Sequence, residues 1–309
     1  MTGCEVQKVE ENGTFEFVLS QKMYCEALEE AKHGELNVET WTTDLSNPER
    51  VLDKAEWTIY KGQVGALQWA CVGTRADAVF RTASLAGRQA EPKVADVLEA
   101  SKAIRELKRE VLEIRYKPIK QEEMAMVLFT DAGHKNLPGG HSMGAWSLWL
   151  IPKPETLSKE YEWVPAHCLG YAGRRCRRAC KSPMGAELIA MTEGWDKIAP
   201  ITDFVQKVLG KMDVYLITDS ESIVTMTSKQ SSPEEKRLAS DATIVVEAVM
   251  EGVKLRWVET QDMISDAMTK LMSCKVLRST LNQGQFMVPL KFLTNPMEGI
   301  KALERSSCR

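Results

Sequence analysis

The sequence predicts an α/β (α+β) protein: a five-stranded mixed sheet flanked by helices, with a mostly helical segment in front of it. Three observations point there. At Met124 the pattern changes from helical spacing of apolar residues to short apolar runs of strand length. Two of those runs, 124–131 and 214–219, end in an aspartate, Asp131 and Asp219. Between and after them the helical spacing returns, so that elements follow one another as βββαβαβα, an order that suits a mixed sheet with helices packed on it.

Residues 18–23 lead into a short helix over 24–32, and a polar linker with Asp44 and Pro48 follows. Residues 60–83 are largely apolar and read as a buried helix or helix pair broken near Gly73. Over 94–114, Val97, Ile104, Leu107, Val111 and Ile114 keep close to helical period, Lys102, Arg105, Lys108 and Arg109 form the other face, and Pro118 ends the helix. The first strand is MAMVLFTDA, ending at Asp131. A turn over 136–141, with Pro138 and paired glycines, leads to strands over 144–151 and 163–170. Residues 186–198 form a helix with Leu188, Met191, Trp195 and Ile198 on one stripe, and 205–211 a second, short one. The fourth strand is 214–219, a broken helix covers 233–251, the fifth strand is 253–259, and a helical segment starts at Asp262. Trp146, Trp149 and Trp195 fall on strands and on the apolar stripe, which favours core packing over base stacking.

Composition narrows the class. With 309 residues the chain is long enough for about two domains, and 44% hydrophobic and 27% charged residues allow a sizeable core. A net charge of −3 means that any affinity for nucleic acid is local rather than global. The polar, acidic first residues carry no secretory signal, and no apolar stretch is long enough for a membrane span; the expectation is an intracellular protein, cytoplasmic or nuclear, with no membrane partner. Eight scattered cysteines without a CxxC pair fit free thiols in a reducing compartment. A zinc site from His167, Cys168, Cys176 and Cys180 has irregular spacing.

Four acids stand where local geometry aims them at one point. If the first and fourth strands are neighbours, Asp131 and Asp219 project from the same edge of the sheet. Glu187 lies in the first turn of its helix beside the apolar stripe, and Asp266 opens the last helix. Any one of them alone reads as a turn or cap residue; the joint arrangement does not. Clustered carboxylates repel, and burial raises their pKa values, so the cluster calls for a divalent cation. Hard oxygen ligands suit Mg²⁺ or Mn²⁺ rather than zinc, and two such ions can clamp a phosphodiester.

The stretch 124–286 resembles the ribonuclease H domain in the Pol polyprotein of copia-type LTR retrotransposons. LFTDAGH is similar to that family's first strand. SPMGAELIAMTEG resembles its acidic helix, LITDSESI its Asp-Asn-x-Ser-Ala strand end, and KLRWVETQDMISDAMTK its Val-Pro-Thr-x-x-Gln-x-Ala-Asp-x-x-Thr-Lys segment. The four pieces occur in family order and place the acids on Asp131, Glu187, Asp219 and Asp266. Upstream, VLSQKMYCEAL, Gly65–Leu67 followed by Thr74–Asp77, and AIRELK resemble the end of the family's reverse transcriptase, beyond its palm; the polymerase's paired-aspartate motif is not in the chain, so no polymerase activity is expected. The resemblance implies a ribonuclease H-like fold over 122–286, a thumb- or connection-like segment over 1–121 and a tail over 287–309. It implies an RNA–DNA hybrid as substrate, two Mg²⁺ or Mn²⁺ ions, 3′-hydroxyl and 5′-phosphate products, and the rest of the polyprotein as partner. There are departures: Ala76 replaces a proline, Gly133 and His134 replace Asp-Trp, Gly185 replaces an acid, Ser265 an alanine, and Asp241 lacks a preceding histidine. None removes a metal ligand.

Residues 167–181 hold Arg174, Arg175, Arg177, Arg178 and Lys181 and no acid, just before the Glu187 helix. They read as a phosphate-binding loop, which would make binding salt-dependent, or as a solvated loop. The basic face at 102–109 reads as solvated. Sensing of the RNA 2′-hydroxyl falls to polar groups near the acids, with Ser220 and Ser222 as candidates, and His134 is a candidate for proton transfer. Three functions fit the sequence: a metal-dependent endonuclease that degrades the RNA of a hybrid, a catalytically inactive nucleic-acid-binding relic of the same fold, and a structural remnant that binds no hybrid.

Overall fold

A computed structural model describes residues 3–11, 13–120, 124–156, 161–231 and 233–289. Most of the expected tail, 290–309, lies outside the described residues. The chain opens with an antiparallel hairpin, β1 (Glu5–Glu11) and β2 (Thr14–Ser20). The sequence reading placed no strand there, because Val6 and Val9 are three apart, off the two-residue period of a strand. Helix α1 (Lys22–Ala27) follows, then a minimal parallel pair, β3 (Lys32–His33) and β4 (Thr42–Thr43). Helix α2 (Lys54–Gly73) starts at a capping box: the Asp53 carboxylate accepts from the Ala55 and Glu56 N–H groups, and Glu56 accepts from the Asp53 N–H. The break near Gly73 is where expected, with α3 (Val79–Ala86) beyond it.

Helix α4 (Val94–Arg109) ends earlier than its apolar spacing predicts. Glu110 turns extended, and the chain continues as β5 (Glu113–Tyr116), which pairs antiparallel with β2. Val111 and Ile114, three apart, imitate a helical stripe; Ile114 is buried from a strand and Val111 is exposed. Tyr60, Val64 and Leu67 of α2 pack against Val97, Ala100 and Ile104 of α4 as one core.

The central sheet is the predicted five-stranded mixed sheet. Its strands are β6 (Met124–Leu137), β7 (His141–Pro152), β9 (His167–Arg175), β10 (Asp213–Thr218) and β11 (Lys254–Trp257), and its spatial order is β11-β10-β6-β7-β9. β6 runs antiparallel to β7 and parallel to β10, and β11 is parallel to β10. The third strand departs from expectation: 163–170 divides between β8 (Tyr161–Pro165), which pairs with β12 (Gln285–Pro289), and β9. Helices on both faces explain the unbroken apolar run of β6. Met126 and Leu128 face α5 (Pro183–Leu209), α6 (Glu221–Lys229) and α7 (Ala239–Met250). Ala125, Val127 and Phe129 face α3, α8 (Asp266–Thr269) and α9 (Lys275–Gln283). Trp149 is buried in the second of these cores, and Trp146 and Trp195 pack against the first. Where two helices were expected, α5 is one 27-residue helix that passes through Pro200, at an exposed position.

The helical segment is joined to the sheet by apolar and ionic contacts. Cys71, Ala76 and Val79 belong to the same core as Phe129 and Leu277. Arg75 and Asp77 are almost fully buried; Asp77 pairs with Arg75 at 2.8 Å and with Arg278 of α9 at 2.7 Å. No helix among the described residues is long and apolar enough to cross a membrane.

Candidate metal centre

Asp131, Glu187 and Asp219 each present a carboxylate oxygen, and these oxygens lie within 4.8 Å of one another. Asp131 is not at a strand end, as the sequence reading had it. β6 runs on for six more residues into a hairpin with β7; it is the parallel neighbour β10 that stops, at Thr218. Asp219 is the next residue, so it leaves the sheet beside Asp131. The Asp219 backbone carbonyl accepts from Trp257 Nε1 at 2.9 Å, and its Oδ2 accepts from Thr260 Oγ1 at 2.9 Å.

Glu187 reaches the pair because α5 lies close on the sheet. Its N-cap Ser182 accepts from the Gly185 N–H at 3.1 Å. Seven residues beyond Glu187 and on the same face, a side chain at Gly194 would begin 3.1 Å from Trp146 and 3.2 Å from Thr130. Glycine there lets the helix approach the strands. The Ala132 N–H donates to the Glu187 carboxylate.

Asp266 opens α8 under the same edge, and its neighbours in that turn contact Asp131 directly. Thr269 Oγ1 donates to Asp131 Oδ2. Lys270 Nζ donates to Asp266 Oδ1 at 2.6 Å and stands 3.7 Å from Asp131 Oδ1. Asn136 Nδ2 holds the Thr269 carbonyl at 2.6 Å, and its amide fills the space over Gly133, where a Cβ would overlap it at 1.9 Å. Glycine at 133 thus makes room for the side chain that fastens α8 to β6.

The electrostatics of this cluster are unfavourable to charge. Burial first, then the Asp266 charge, push the Asp131 carboxyl up to about 7, against the pull of Lys270. Burial, then Asp131 and Asp219, push Glu187 up to about 10. Asp131 Oδ1 and Glu187 Oε2 are buried without a hydrogen-bond partner among the described residues. Ionising these buried oxygens requires a cation beside them, and an all-oxygen donor set fits a hard divalent ion.

The five basic residues divide. Arg174 pairs with Glu193 at 2.9 Å, and Arg178 forms a two-pronged pair with the buried Asp241, at 2.8 and 2.5 Å. Arg175, Arg177 and Lys181 are exposed, with no ion pair among the described residues. Ser220 is half-buried beside Asp219 and Ser222 exposed; His134 Nε2 lies 3.2 Å from the Cys180 carbonyl, and His167 Nε2 donates to the Lys117 carbonyl. On the helical segment's basic face, Arg105 pairs with Glu30 and Arg109 with Glu110. Sequence reasoning named the acids but missed Thr260, Thr269 and Lys270. The last two were in view as the Thr-Lys that ends the fourth motif.

No known family's sequence profile matches this chain, and no curated protein matches it. Among solved structures it is similar to the N-terminal RNase H domain of a Mycobacterium tuberculosis protein, solved as a fusion with maltose binding protein. That likeness has 15% identity and a TM-score of 0.31, and covers 47% of this chain and 94% of that one. It is also similar to RNase H1 of Halobacterium salinarum, with 16% identity, 44% and 87% covered and a TM-score of 0.31. A third is LC11-RNase H1, isolated from compost, with 15% identity, 44% and 86% covered and a TM-score of 0.32.

Proposed function

We propose that this chain is a divalent-metal-dependent nuclease of the ribonuclease H type. The observation that carries the reading is the convergence of Asp131, Glu187 and Asp219 within 4.8 Å, with two buried carboxylate oxygens left for a cation. More particularly, it is proposed to be the ribonuclease H of a copia-type retrotransposon Pol polyprotein, cutting the RNA strand of RNA–DNA hybrids. The support for that step is the four acidic motifs in family order and the upstream segments that resemble the end of a reverse transcriptase. In this reading 1–121 is the reverse-transcriptase remainder, 122–286 the nuclease and 287–309 a tail.

Mg²⁺ or Mn²⁺, as two ions held by Asp131, Glu187, Asp219 and Asp266, would activate the attacking water and stabilise the leaving oxygen. Asp131 is the ligand common to both ions in this reading, because its oxygens meet those of Glu187 and Asp219 and it also interacts with Asp266 and with the Lys270 that pairs with Asp266. Thr269, Thr260 and the Ala132 N–H orient the carboxylates of Asp131, Asp219 and Glu187 in turn. Arg175, Arg177 and Lys181, exposed ahead of α5, receive backbone phosphates, while Arg174 and Arg178 hold that loop through Glu193 and Asp241.

The test is a labelled RNA–DNA hybrid incubated with the full chain and Mg²⁺, with and without chelator. Cleavage to 3′-hydroxyl and 5′-phosphate ends that stops with chelator is expected. Binding of the hybrid without cleavage refutes the enzyme and leaves a binding relic; neither binding nor cleavage refutes both.

A further inference from the structure

The four acids do not stand in equal surroundings. Three of them converge, and Glu187 and Asp219 have no ion pair among the described residues, whereas Asp266 already has a cation that also reaches Asp131. Lys270 Nζ, four residues on, lies 2.6 Å from Asp266 Oδ1 and 3.7 Å from Asp131 Oδ1. Asp131 Oδ2 is taken by Thr269, so Oδ1 is the oxygen that both halves of the site share. The ammonium therefore sits on the Asp131–Asp266 edge, which the proposed function assigns to a second divalent ion.

The placement is built into a single turn. The Lys270 N–H donates to the Asp266 carbonyl at 3.0 Å, and Asn136 fastens the Thr269 carbonyl between them. The two carboxylates it faces are buried, but the Lys270 side chain is 38% exposed and has a path to solvent. A lysine head on a flexible four-carbon stem can leave such a position without disturbing the backbone. While it stays, a second divalent ion meets a like charge at close range in a half-buried site.

We propose that Lys270 is a tethered cation that occupies the second metal position and makes the two positions unequal. The Asp131–Glu187–Asp219 position fills first. The Asp131–Asp266 position accepts an ion when the Lys270 ammonium is drawn off it by a phosphate of the bound nucleic acid. Lys270 is thus a positioning residue that couples the second ion to substrate. This rests on the nuclease reading above and adds an order of loading to it.

The experiment is Mn²⁺ binding to the full chain without nucleic acid, with free Mn²⁺ followed by electron paramagnetic resonance. The parent chain is expected to bind one ion tightly and a second at least about tenfold more weakly. Lys270→Met is expected to tighten the second site by about tenfold and leave the first unchanged. Lys270→Arg keeps the charge and is expected to behave as the parent; Lys270→Gln repeats the neutral test if methionine impairs folding. A second site no tighter in the neutral variants, or equally tightened in Lys270→Arg, overturns the role of Lys270 while the tight site stands. Loss of the tight site from the parent, or its survival in Asp219→Asn, overturns the nuclease reading and this proposal with it.

Discussion

Replacing Asp131 with asparagine is expected to stabilise the metal-free chain at neutral pH and to abolish its response to Mg²⁺. Asp131 has no exposed surface, and burial together with Asp266 raises its carboxyl from 3.8 to about 7. Each tenfold change in proton affinity is worth about 1.4 kcal/mol. Keeping Asp131 ionised in the folded chain above pH 7 therefore costs on the order of 4 kcal/mol relative to the unfolded chain. The folded state binds more protons than the unfolded state between those two pKa values. Stability thus falls as pH rises from about 4 to about 7, and the cost is fully present above that window. Glu187, also raised, adds in the same direction. Asparagine keeps the shape of the side chain and an oxygen for Thr269 but carries no charge. The assay is urea denaturation at pH 5 and pH 8, in chelator and in Mg²⁺. In chelator the parent loses stability between the two pH values and the D131N chain loses about 2–3 kcal/mol less, the part of that cost that falls between pH 5 and pH 8. Mg²⁺ at a hundredfold excess over its Kd restores about 2.7 kcal/mol to the parent and nothing to D131N. Equal pH slopes for the two chains in chelator would refute the reasoning, since Asp131 would then not carry the electrostatic cost that its burial and neighbours assign to it.

Three more predictions concern the Arg75–Asp77–Arg278 ion cluster and the basic loop. Asp77→Asn leaves the buried Arg75 guanidinium and Arg278 without their carboxylate and is expected to cost about 3–5 kcal/mol in urea denaturation; a loss below about 1 kcal/mol would show that this ion cluster does not join the helical segment to α9. Neutralising Arg175, Arg177 and Lys181 together is expected to weaken hybrid binding and lower its log–log salt slope by about 2–3, with the melting temperature unchanged. Arg178→Ala is expected to act the other way, lowering stability through the unpaired Asp241 by about 1–3 kcal/mol. An unchanged salt slope in the triple variant assigns the loop to solvent.

How much of this was legible follows from what periodicity reports. An apolar period records which sides of an element are buried, so β6, buried on both faces, and α5, buried on one, were readable as a strand and a helix. It does not record where a buried pattern changes element. Val111 and Ile114 kept helical spacing across the turn from α4 into β5; in the β1–β2 hairpin Val6 and Val9 are off the strand period, and the alternation of Phe15, Phe17 and Leu19 in β2, with both phenylalanines largely exposed, was missed. Pro200 did not divide α5, because at an exposed position of a helix packed on the sheet, tertiary contacts outweigh the loss of one hydrogen bond.

The acids were legible for a similar reason: each ends or opens an apolar run, and their order along the chain is a property of the sequence alone. Their convergence was not. Asp131 and Asp219 are 88 residues apart and meet because β10 pairs parallel to β6 and stops one residue earlier than the register of Asp131 requires. Glu187 joins them because Gly194 lets α5 close on the sheet. The sequence by itself determined the class of fold, the strand and helix alternation and the identity of the carboxylates. Tertiary structure alone decided which oxygens are left unpaired, that Asp266 carries Lys270 as its counter-ion, that two of five basic residues are spent holding a loop, and that Arg278 closes on Asp77 across 201 positions of chain. Periodicity is a local quantity, set by neighbours three or four residues away. Charge balance in a buried site is set by whatever the fold brings within a few ångströms, and no local pattern contains it.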